Sequence, residues 1–116
     1  MAGGLPADIE QQVREFQQLQ RTLQTVVAQK QQLTFQIEEI KLAAQSVNSA
    51  TGMLFKAAGG LLIQISPEFA KKELSEKQES FELRLTMLGK QEKQLSEKAA
   101  GLKATLEAAL KKMPSE

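Results

Sequence analysis

Between residues 6 and 48 apolar side chains return at alternating steps of three and four: Ile9, Phe16, Leu19, Leu23, Val26, Leu33, Ile37, Ile40, Ala44 and Val47, with Gln12 and Lys30 as polar exceptions. That period belongs to a helix that buries one narrow stripe against a partner helix. The same spacing runs through the second half as Leu74, Phe81, Leu85, Leu88, Leu95, Ala99, Leu102, Leu106, Ala109 and Met113, interrupted by Gln78 and Glu92. At ~1.5 Å per residue each helix spans roughly 60 to 70 Å, which predicts a rod rather than a globule. Pro6, followed by Asp8 and Glu10, opens the first helix on the side its dipole favours. Asn48, Ser49 and Gly52 supply its exit. Ser66-Pro67-Glu68 reads as an N-cap, a proline in the first helical position and an acid in the first turn, and Pro114 ends this second helix. The predicted fold is mainly α, one domain over 1–116, with helix one at 6–49, a connector at 52–66 and helix two at 67–113.

The connector is too short for the chain to return parallel to itself, so the helices pair as an antiparallel coiled coil. In layers whose residue numbers add to 118, Phe16 meets Leu102, Leu23 meets Leu95, Leu33 meets Leu85 and Ile37 meets Phe81, centring the turn on Gly59-Gly60. A register one heptad longer is the alternative. In either, the two charged breaks in the seam, Lys30 and Glu92, fall in neighbouring layers and are candidates for an ion pair; the alternative is that both side chains reach out to solvent. Two apolar runs flank the glycines, a β-hairpin pattern with Leu54, Leu61, Ile63 and Ile65 on one face and Met53, Phe55 and Leu62 on the other. Its own helix ends can cover one apolar face but not both, so the hairpin is expected to drive assembly.

Composition narrows the chemistry. The chain has 116 residues and neither His, Cys, Trp nor Tyr, so no imidazole base, thiol nucleophile, disulfide or Cys/His metal site is available. Ser66 and Ser75 have no base beside them, the Lys and Glu residues lie on exposed faces, and Gly59-Gly60 lacks the residues of a phosphate loop. We therefore expect no enzyme, no cofactor and no metal. A net charge of +1, with the lysines interleaved among acids, gives little attraction to nucleic acid or an anionic membrane. No apolar run approaches the ~18 residues of a membrane span and no leader pattern opens the chain, so a soluble cytoplasmic protein is expected.

A first helix, the hairpin run Phe55-Lys56-Ala57-Ala58-Gly59-Gly60-Leu61-Leu62-Ile63, and then Leu85 to Leu95 spaced as Leu-x-x-Leu-x-Lys-Gln-Glu-x-x-Leu together resemble the beta class of prefoldin over essentially the whole chain. Alpha-class members carry two hairpins, and the connector here has room for one. The resemblance implies a subunit of a hexameric, ATP-independent chaperone whose hairpins pool into a β-barrel platform. Its partners would be an alpha-class subunit, further beta copies, unfolded clients gripped at the distal coiled-coil ends, and a group II chaperonin.

Two sets of residues carry that role. Met53, Leu54, Phe55, Leu61, Leu62, Ile63 and Ile65 are the assembly hairpin. Leu5, Ile9, Val13, Phe16, Leu106, Leu110 and Met113 are the client-binding tips, because near the free ends apolar residues outnumber what one seam buries; the alternative is that Val13 and Leu110 only widen the seam. The rival function is a coiled-coil adaptor for one folded partner. It requires an aromatic or strongly charged patch on the outer face, which the sequence reads as mostly Gln, Lys and Glu.

Overall fold

A computed structural model describes residues 5–112. The elements run α1 (Ala7–Ser49), β1 (Leu54–Ala58), β2 (Leu61–Ile65) and α2 (Pro67–Lys111). Pro6 stands just outside α1, where its carbonyl accepts the first helical bond from the Glu10 N–H at 2.9 Å. α1 ends at Ser49, within the expected exit of Asn48, Ser49 and Gly52. It tightens there, with the Ala50 N–H donating to the Val47 carbonyl and the Ser49 hydroxyl donating to the Gln45 carbonyl. Ser66 caps α2 as expected: its Oγ accepts the Phe69 N–H at 3.1 Å, and its carbonyl accepts the Ala70 N–H. Met113, the expected last residue of helix two, lies outside the described residues.

The heptad reading survives residue by residue. Every predicted seam position among the described residues is buried or half-buried, including the polar Gln12, Lys30, Gln78 and Glu92. Ile9, Val26, Leu33, Ile37, Ile40, Ala99 and Leu106 are buried seam residues, and Ala70, off the seam, joins them. No described side chain is completely enclosed, since a helix pair has no second layer to close over its seam. Threonines set into the helices turn their hydroxyls back on the preceding turn, Thr34 to the Lys30 carbonyl and Thr86 to the Glu82 carbonyl.

Packing divides the chain into two compact units. One holds residues 30–87, with the hairpin and the helical segments that adjoin it; the other holds the chain through Gln29 together with residues from Leu88 onward. Within the 30–87 unit, Gln36, Ile40 and Ala43 of α1 share a depression with Leu74 and Phe81 of α2, and Ala44 shares another with Leu74 and Gln78. These neighbours match the shorter register. The longer one would carry the partner of Leu74 past the end of α1. Arg84 lies over the Phe81 ring, 5.4 Å from its centroid, and shields the side of the seam.

Candidate assembly and client-binding surfaces

The strands pair antiparallel as Leu54 with Ile65, Lys56 with Ile63 and Ala58 with Leu61, with Phe55 opposite Gln64 and Ala57 opposite Leu62 between them. Gly59 and Gly60 both have positive φ, 55° and 79°, the backbone of a type I′ turn, whose twist matches that of the strands it joins. This register puts Leu54, Lys56, Ala58, Leu61, Ile63 and Ile65 on one face and Phe55, Ala57, Leu62 and Gln64, with Met53 beside them, on the other. Both expected groupings hold.

The two faces meet different surroundings. Leu54, Ala58 and Ile65, all on the first face, are the only half-covered hairpin residues. The Lys56 ammonium reaches Glu73 on α2 at 2.7 Å and ties that face to the helix. The second face is open: Met53 is 67% exposed, Phe55 51% and Leu62 74%. Lys56 therefore links one face of the hairpin to its own helix, although Leu61 and Ile63 on that face stay exposed, and the other face is an open apolar surface beside two unpaired strand edges.

The described tip residues belong to the other unit and fall into three groups. Ile9 and Leu106 are buried in the seam, Leu5, Val13 and Phe16 are half-covered, and Leu110 is 47% exposed; Met113 lies outside the described residues. Lys30 and Glu92 are half-covered at their seam positions. Beyond these, Phe35 and Leu42 on α1 and Phe69, Leu83 and Met87 on α2 stand exposed on faces that read in sequence as mostly Gln, Lys and Glu. Phe35 and Leu42 lie seven residues apart at the heptad position opposite the seam. Their recurrence at that one heptad position is the sequence signal that marks them.

Among the described residues no cluster of His, Cys, Asp or Glu is arranged to hold a metal, and no helix is long and apolar enough to cross a membrane. What the geometry defines is a class: two long helices paired through a heptad seam, joined by a hairpin that displays unpaired apolar surface. The prefoldin subunit family profile matches residues 10–113. Prefoldin subunit beta of Pyrococcus furiosus is 31% identical over 109 residues, covering 92% of this chain and 93% of that protein. Prefoldin subunit beta of Archaeoglobus fulgidus is 36% identical over 101 residues, covering 84% and 86%. The crystal structure of the prefoldin beta subunit from Thermococcus strain KS-1 superposes with a TM-score of 0.84 at 33% identity, covering 96% of this chain and 98% of that one. The chain belongs to the prefoldin subunit family, and within it matches the beta class. It is a chaperone subunit that assembles with other prefoldin subunits, in a family of chaperones rather than enzymes.

Proposed function

We propose that the chain, 1–116 as one prefoldin-like domain, is the beta-class subunit of a cytoplasmic hexamer completed by an alpha-class partner and further beta copies. The hexamer binds unfolded polypeptide at its distal coiled-coil ends and delivers it to a group II chaperonin, without nucleotide or metal. The carrying observation is the open face on which Met53 is 67% exposed, Phe55 51% and Leu62 74%, and which a pooled barrel of hairpins would bury. Leu5, Val13, Phe16 and Leu110 serve as the client grip, with Met113. Each contributes roughly 1.5 to 3 kcal/mol on full burial before entropy losses, weak binding that several arms acting together make useful.

Native mass spectrometry of the protein co-purified with its partner subunits tests the assembly half. Phe55→Ser with Leu62→Ser should yield free subunits with unchanged helical circular dichroism; an intact particle would refute it. A second reading, docking of a folded partner on the outer face, has Phe35 and Leu42 in its favour. Phe35→Ser with Leu42→Ser should leave suppression of aggregation intact if the chaperone reading holds.

A further inference from the structure

Two features of the 30–87 unit lie side by side. Phe35 and Leu42 on α1 are 65% and 62% exposed. Next to them, the depression floored by Ile40, Leu74 and Phe81 has a volume of about 420 Å³, against the roughly 30 Å³ of a single water, so side chains from outside can enter it. Gln36 and Ala43, the chain neighbours of Phe35 and Leu42, line its α1 edge. Phe35, Gln36, Glu39, Leu42 and Ala43 stand at i, i+1, i+4, i+7 and i+8, the spacing of one continuous helix face. The seam does not account for this second face, because Leu33, Ile37 and Ile40 already fill it along the same stretch.

Charge on the two rims of the depression narrows what fits there. Glu39 stands on the α1 rim and Lys77 on the α2 rim. The neighbouring Glu38 is already paired with Lys41 at 3.5 Å, and Arg84, further along α2, lies over the Phe81 ring. The α1 rim therefore favours a cation and the α2 rim an anion. A purely apolar occupant would leave both rims unmatched, and an unfolded chain brings no fixed order of charges. A helix lying along the groove satisfies both, as a coiled-coil strand does, with an apolar stripe between flanks of opposite charge. Two large apolar anchors fall well short of the roughly 20 to 30 residues a side of a stable interface, so the contact is a transient one rather than that of a permanent subunit.

We propose that this face docks an amphipathic helix of a partner protein, its apolar stripe over Phe35 and Leu42 and into the depression, its basic flank toward Glu39 and its acidic flank toward Lys77. The contact uses neither the hairpin nor the arm ends, so it goes beyond the chaperone reading and does not depend on it.

The test titrates the co-purified particle with a fluorescent three-heptad helical peptide that has a leucine stripe, lysines on one flank and glutamates on the other, followed by anisotropy. Two control peptides carry lysine on both flanks or glutamate on both. The mixed peptide should bind most tightly. Phe35→Ser with Leu42→Ser should weaken it by about tenfold or more, with helical circular dichroism and suppression of aggregation unchanged. Glu39→Lys should weaken the mixed peptide and strengthen the peptide with glutamate on both flanks, and Leu110→Ser should leave all three affinities as in wild type. Equal binding of the three peptides, or no binding of the mixed one, would overturn the proposal. So would an affinity insensitive to the Phe35, Leu42 and Glu39 variants, or one lost in Leu110→Ser, which would place the peptide at the client grip. Loss of aggregation suppression in Phe35→Ser/Leu42→Ser with peptide affinity unchanged would likewise overturn it and assign the face to clients.

Discussion

Gly59 and Gly60 are the positions where the backbone alone disfavours most side chains. A Cβ at either would meet no atom within 4 Å, yet both have φ values that L-residues seldom adopt. Gly60→Ala should therefore destabilise the hairpin by about 1 to 2 kcal/mol through conformational strain, whereas Gly59→Asn should be nearly neutral because asparagine tolerates the left-handed region. Amide exchange of Leu54–Ala58 reports the difference directly; equal exchange in the two variants would argue against a type I′ requirement. Ser66 acts at the same scale. Ser66→Ala removes the acceptor for the Phe69 N–H and should cost about 1 kcal/mol, read as a lower thermal midpoint.

At the scale of the element, what matters is which side of a helix a residue occupies. Leu33 and Ile37 are buried in the seam, while Phe35 between them is 65% exposed. Leu33→Ala or Ile37→Ala should cost about 2 to 5 kcal/mol, and Phe35→Ala, though it deletes more carbon, should change stability by less than about 0.5 kcal/mol. Thermal unfolding by circular dichroism separates these, and comparable losses at all three positions would contradict the heptad. In α2, Gly89 and Gly101 sit inside the helix with open space where a Cβ would project. Gly101→Ala should accordingly stabilise the protein by up to about 1 kcal/mol, the helix-propensity difference with no clash to offset it. A lower midpoint for that variant would mean that Gly101 faces a partner not present in the single chain.

For the whole molecule, function depends on surface that one chain leaves uncovered, and the tip residues differ in how much of it they supply. Ile9 and Leu106 are buried, so Ile9→Ser or Leu106→Ser should lower stability first and impair client capture only as a consequence. Leu110 is exposed, so Leu110→Ser should leave the thermal midpoint unchanged and weaken suppression of aggregation. Measuring both quantities on both kinds of variant checks the division. A Leu110→Ser protein that suppresses aggregation fully would move the client site away from this end.

The heptad spacing, the Gly-Gly turn and the Ser66 cap were legible in the sequence because each is local: a periodicity, a backbone requirement, or one hydrogen bond three residues long. Seam burial came with them for the same reason, since only one face of each helix is apolar enough to pair. The parity of the strands likewise assigns Leu54 and Phe55 to opposite faces by spacing alone. Which of those faces leans on α2 was not legible, because it rests on Lys56 meeting Glu73 seventeen residues away. The heptad leaves Phe69, Leu83 and Met87 off the seam, and all three are exposed. Spacing along a chain determines which side of an element a residue takes, and only the packing of elements against one another decides whether that side meets protein or water.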